Sequence, residues 1–198
     1  MRWLPVIALA CLFAGCAGLG GRDAHRYYVL EALEPASPAP TLKQEATLLV
    51  APTTAAGFYD TQEIVFSPSA GTRAYYQFSS WTEPPARRLG ALLVPRLERG
   101  GAFRVVAAAT GGVRGTLLLR TDLEEMYHDA AMPPGSVRIT LTAELSDPAK
   151  RTLLARRTFV TTAPVASHDA SGAVQGFRRA LGTLLDEIAA WVASAAGG

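Results

Sequence analysis

Chemistry in a protein starts from side chains that titrate, attack or ligate, and this chain offers few of them at useful spacings. Its histidines, His25, His128 and His168, are far apart, with no HExxH or paired spacing to set two imidazoles on one helix face toward a metal. Ser167-His168-Asp169 names the parts of a hydrolytic triad, but a triad needs convergence from separate elements. Helix capping by Ser167, Asp169 or Ser171 explains these residue types better. Glu124-Glu125 with Asp129 would supply paired carboxylates for acid and base work, yet adjacent strand residues point to opposite faces, so the pattern reads as a solvated strand end. Gly100-Gly101 and Gly111-Gly112 are not followed by the GK[ST] of a phosphate-cradling loop, and GxSxG and GxGxxG do not occur. The expectation is a non-enzymatic protein with no catalytic residue, no metal and no dissociable cofactor.

One residue is placed so that chemistry is done to it. Cys16 follows Arg2, an apolar run over residues 3–13 and the small pair Ala14-Gly15, which is the layout of a secretory signal. The eleven residues of that run rise only about 16 Å as a helix, roughly half of a ~30 Å hydrocarbon core, so the run is an address rather than a span. Leu12-Phe13-Ala14-Gly15-Cys16 resembles the lipobox of bacterial lipoproteins, with Phe13 where an aliphatic residue is usual. The resemblance implies cleavage before Cys16, diacylglycerol on its thiol and an N-acyl chain on the new terminus. The alternative is an ordinary signal followed by a buried cysteine. Cys11 lies in the part removed, so the processed chain has one thiol and no intrachain disulfide. Three acyl chains, at ~0.8 kcal/mol per buried methylene, hold a domain to a bilayer almost permanently.

The elements behind these residues read as one domain over residues 27–195, joined to residues 1–15 by the lipidated cysteine and a glycine-rich tether at 16–26. The 19 Lys and Arg against 17 Asp and Glu, with Arg2 in the leader, leave the processed chain near neutrality. That balance excludes nucleic acid, which needs a clustered basic surface. Strands are expected at 27–30 and 46–50, separated by the proline-rich connector 34–40, whose prolines lack the ladder donor. Residues 63–66 and 73–78 read as a hairpin around Ser67-Pro68-Ser69-Ala70-Gly71. Thr82 then caps a helix with Pro84 and Pro85 in its first turn and Leu89, Leu92, Leu93 and Leu97 at helical spacing, stopped by Gly100-Gly101.

The clearest β signal is the alternation of Leu117, Leu119, Thr121 and Leu123 with polar neighbours, followed by Val137, Ile139, Leu141, Ala143 and Leu145 against Arg138, Thr140, Thr142, Glu144 and Ser146. With a third strand at 152–162 the short connections predict an antiparallel meander. A C-terminal helix carries the core stripe Val174, Phe177, Leu181, Leu184, Leu185, Ile188, Trp191 and Val192. Two helices and roughly seven strands predict a single α+β domain, a mostly antiparallel sheet with both helices packed on one face.

Aromatic residues crowd the first half, including Tyr27, Tyr28, Tyr75 and Phe78. Tyr59, Tyr76 and Trp81 are the candidates for partner or lipid contact, since large side chains with polar tips suit such surfaces, although most of the group belongs to the core.

Tyr28-Val29-Leu30, Leu48-Leu49-Val50, Tyr59, Ile64-Val65-Phe66, Tyr76 and Trp81-Thr82-Glu83-Pro84-Pro85 before a leucine-rich helix occur in an order that resembles the auxiliary lipoproteins of ABC-type transport systems. That group includes paraquat-inducible protein C, and the likeness runs from about Tyr27 to Trp191, with Thr121-Asp122-Leu123 and Tyr127-His128-Asp129 also in place. Asp60 stands where an aliphatic residue is usual. The resemblance implies an accessory to a system with an MCE-type protein, a permease and an ATPase that moves lipids between two membranes. Ala17, in place of the aspartate tied to inner-membrane retention, implies the periplasmic leaflet of the outer membrane. The competing expectations are a periplasmic carrier with its own acyl-chain pocket and an envelope-structural lipoprotein.

Overall fold

A computed structural model of the chain describes residues 24–34 and 43–197. The expected leader, Cys16, most of the tether and most of the proline-rich connector lie outside the described residues. The domain is built around β7 (Leu117–Asp129), whose one edge pairs along its length with β8 (Ser136–Asp147), which in turn pairs with β9 (Thr152–Pro164), both antiparallel. This is the expected meander. The other edge of β7 is shared in series by three parallel partners, β2 (Gln44–Val50), β3 (Thr54–Ala55) and β4 (Glu63–Ser67). Beyond β4 come β5 (Ala74–Trp81), antiparallel, and β1 (Arg26–Tyr28), parallel to β5; beyond β2 comes β6 (Phe103–Ala108), also parallel. The long pairings are antiparallel, while the five parallel ones are short.

Helices α1 (Pro85–Gly100) and α2 (Ala170–Ala195) cover one face, and the residues beneath them join a single core that includes Leu30, Leu89, Leu119, Ile139, Leu141, Phe177 and Leu184. Every member of the C-terminal stripe is buried except Trp191, which is half-buried and packs edge-on against Phe159. Thr82 does not cap α1. Pro84 occupies the cap position and offers no side-chain acceptor, so the helix starts on the fixed φ of consecutive prolines instead. Its far end follows the expectation: Gly101 adopts φ 63°, the left-handed conformation that ends the last turn. Asp169 caps α2, accepting from the Gly172 amide at 2.7 Å.

The segment after β1 straps the two helices together. Leu30 is 2 % exposed, the Arg88 Nε donates to its carbonyl at 2.9 Å, and the Leu33 amide donates to the Arg178 carbonyl at 3.1 Å. Arg96, buried in α1, donates to the Leu33 carbonyl at 2.7 Å and pairs with Asp186 of α2 at 2.5 Å. A charge at such depth is tolerated because both ends of its fork are answered.

Candidate functional site

The helices hide one face of the sheet; the opposite, outer face is where polar and aromatic side chains gather. A β-bulge makes this face. In β7 the partners Leu123↔Leu141 and Glu125↔Thr140 leave Glu124 as an extra residue, so the inward phase passes from Leu119, Thr121 and Leu123 to Met126 and His128. Glu124 accepts from Thr142 at 2.5 Å and Glu125 from Thr140 at 3.2 Å, and those threonines are two apart on one face of β8. The two carboxylates therefore share a face, which corrects the strand-alternation argument above. They are nonetheless occupied: Glu125 pairs with Arg73 at 3.1 Å and with Arg138 at 3.4 Å. Arg73 also donates to the Tyr59 hydroxyl at 2.9 Å and lies over the Tyr127 ring at 3.7 Å. Farther along, Glu144 meets Arg156 at 3.5 Å. The face is a ladder of alternating charge and hydroxyls in which each carboxylate already has a partner.

The three aromatic candidates separate in space. Trp81 is 2 % exposed and packs edge-on against Phe177, so it belongs to the core and cannot meet a partner. Tyr59 is buried on the outer face with its hydroxyl bonded to Arg73. Tyr76 is half-buried, packs at a tilt against Phe66, and donates its hydroxyl to the Nδ1 of His128 at 2.7 Å.

His128 is the buried polar group that sequence reasoning passed over. It is fully buried, and its Nε2 lies 2.9 Å from the Pro134 carbonyl, which can only accept. Nε2 therefore carries the proton and Nδ1 receives the Tyr76 hydroxyl, a neutral ring with both nitrogens satisfied. Burial lowers the His128 pKa, and burial followed by the nearby Asp169 charge pushes Tyr76 up to about 12. His168 packs edge-on to His128 but is exposed, and Asp169 is spent on the helix cap, so Ser167-His168-Asp169 forms no triad. Nothing in the sequence warned of this, because the alternation of Leu117, Leu119, Thr121 and Leu123 puts His128 on the polar phase and only the bulge turns it inward.

At the corner of the outer face formed by β1, β5 and β4, Tyr27 pairs with Ser80 and Ser80 with Glu63, while Tyr75 pairs with Val65. The register of β4 and β5 shifts between Glu63 and Val65, but Ile64 and Trp81 belong to the core, so their neighbours Val65 and Ser80, and Tyr75 and Tyr27 opposite them, stand on the outer side. His25 Nε2 lies 2.9 Å from Ser80 Oγ, and Ser80 donates to Glu63 at 3.1 Å. The hydroxyl lies between imidazole and carboxylate, the wrong order for a nucleophile activated by histidine. Phe58 stacks on Tyr75 at 5.0 Å, and Tyr27, Phe58 and Tyr75 are 68 %, 43 % and 42 % exposed. At the opposite end of the meander, a cleft of about 360 Å³ is lined by Leu118, Arg120, Glu144, Arg151 and Leu153, among others.

Among the described residues no group of His, Cys, Asp and Glu is arranged to hold a metal ion, and no helix is long and apolar enough to cross a membrane.

The chain shares its fold with protein XCC0632 from Xanthomonas campestris, at TM-score 0.79 and 24 % identity over 87 % of this chain and 97 % of that one. An uncharacterized protein aligns at TM-score 0.66 and 16 % identity, over 86 % and 99 % of the respective chains. The hypothetical protein CT253 from Chlamydia trachomatis aligns at TM-score 0.50 and 10 % identity, over 76 % and 96 %. No curated protein matches the chain. The model of the ABC-type transport auxiliary lipoprotein component matches residues 28–189, from the end of β1 to deep in α2. With the order of strands, the strap and both helices inside that match, the chain belongs to the family of ABC-type transport auxiliary lipoproteins.

Proposed function

We propose that the chain is cut before Cys16, carries diacylglycerol and an N-acyl chain there, and is held by them in the periplasmic leaflet of the outer membrane. From that position it docks the MCE-type protein of an ABC transport system and aligns it for delivery of lipid, with no chemistry of its own. The observation that carries this reading is the family match over residues 28–189, which begins twelve residues after a cysteine in lipobox context. A lipid anchor on a short lead fits a role of placement, and the transporter's ATPase supplies the energy elsewhere. The outer-face ladder of Arg73, Glu125, Arg138, Glu144 and Arg156 gives a docking surface with fixed charge positions, and buried Tyr59 holds Arg73 in place.

The test is metabolic labelling with a palmitate analogue in cells expressing the parent or Cys16→Ala, followed by separation of the two membranes and capture of crosslinked partners. Label that depends on Cys16, outer-membrane fractionation and a crosslinked MCE-type protein are the expected results. An unlabelled soluble product would sink the anchored reading, and lipid co-purifying with an unlabelled domain would make it a carrier.

A further inference from the structure

The corner of the outer face bearing Tyr27, Phe58 and Tyr75 is not used by the ladder, and its position along the strands is informative. β1 runs parallel to β5, β5 antiparallel to β4, and β4 parallel to β7, so Tyr27 lies level with about Glu125 of β7. The cleft at Leu118 and Leu153 is then about 20 Å farther along the sheet. The chain enters the fold at the aromatic corner and not at the cleft. His25 is nine residues from Cys16, so even fully extended the lead spans at most about 32 Å, against a domain diameter of about 40 Å for this length.

We infer that this corner is a bilayer-contact surface: Tyr27, Phe58 and Tyr75 seat in the headgroup region of the membrane that holds the lipid anchor, and the cleft end faces away. The inference rests on Cys16 carrying the lipid. Tyrosine suits the boundary because its ring is apolar and its hydroxyl wet, and tyrosine is enriched at that depth in membrane proteins. The stacked pair Phe58 and Tyr75, backed by the buried ring of Tyr59, presents an exposed apolar plate. The lead removes the need for strong affinity, because a short connection holds the corner near the bilayer at an effective concentration of about millimolar. Seating the corner would fix the tilt of the domain, which a lipidated cysteine on a glycine-rich lead does not do alone.

The experiment uses the processed, acylated chain purified from membranes and reconstituted in vesicles of phosphatidylethanolamine and phosphatidylglycerol, with or without bromine on the acyl chains. Two probes are compared, Tyr75→Trp at the corner and Leu153→Trp at the cleft, both exposed positions. Trp81 and Trp191 give a constant background. The expected result is that Tyr75→Trp emits to the blue of Leu153→Trp and loses most of its added emission in brominated vesicles, while Leu153→Trp keeps its own. Equal emission with and without bromine at Tyr75→Trp, in a chain whose mass shows the acyl groups, would overturn the inference and leave the anchored reading intact. Equal quenching at both positions would overturn it too. A mass without acyl groups on Cys16 would remove both.

Discussion

Replacing Tyr76 by Phe removes one oxygen and keeps the ring that packs at 4.7 Å from Phe66. The lost hydroxyl is the donor to Nδ1 of His128, 2.7 Å away, and His128 is 0 % exposed, so the imidazole is left with an unpaired buried acceptor. Stranding such a group costs about 1–3 kcal/mol, which in a domain of this length lowers Tm by about 2–12 °C. The pH dependence carries the same argument. Burial holds the native His128 pKa below its ordinary value, while the unfolded ring titrates near ~6.5. Between those two values the unfolded chain binds a proton that the native chain does not, so stability is complete above the ordinary histidine pKa and declines as pH falls toward the lowered native one. In Tyr76→Phe the neutral ring has lost its donor, so the native pKa rises toward the ordinary value and the decline becomes shallower. Urea unfolding at a series of pH values, followed by tryptophan emission, measures both effects. A variant within about 0.3 kcal/mol of the parent, or a parent that gains stability as pH falls below ~6.5, would refute the reasoning.

Arg96→Met should cost about 2–3 kcal/mol in urea unfolding, less than for a wholly buried pair because Asp186 is half exposed, and should speed amide exchange over residues 29–34 as the strap loses the bond to Leu33. Asp169→Ala should cost about 1 kcal/mol through the lost cap of α2. The Gly172 amide holds that carboxyl below its usual range, so its contribution is full above the ordinary carboxylate pKa and disappears as pH falls through the native one, which acid unfolding of parent and variant will show. Gly135→Ala places a Cβ 2.2 Å from the Asp129 carbonyl oxygen and 2.7 Å from His128 Nε2, at φ 92°, and should leave little folded protein in a solubility and Tm comparison. Gly71→Ala, at φ 76° but with open space around it, should lose only about 1 kcal/mol.

The elements that read clearly were those whose own pattern decides them. In β8 every second residue enters the core, so Val137 to Leu145 announce both strand and face. The α2 stripe and the left-handed Gly101 are equally local signals. The phase change in β7 was not legible, because whether Glu124 is squeezed out depends on where Leu123 and Glu125 meet β8, a fact about register and not about residues near 124. β3 and β6 escaped notice for a related reason: two residues, and Phe-Arg-Val-Val-Ala-Ala with its irregular burial, are held by parallel neighbours rather than by alternation. Of the site, the aromatic group was visible as composition, but its division into Trp81 in the core, Tyr76 on His128 and Tyr59 on Arg73 is set by tertiary pairing alone.

The shared edge of β7 also governs the order in which this chain can fold as it is made. Before residue 117 emerges, the first half owns the hairpin of β4 and β5, the β1 pairing to it and the β2 pairing to β6, but these pieces have no common neighbour. β7 is what joins them, and its second edge waits on β8 and β9, later still. Sequence-distant pairing of this kind folds slowly. The strand that commits the chain to one structure is therefore made only after more than half of the chain has emerged.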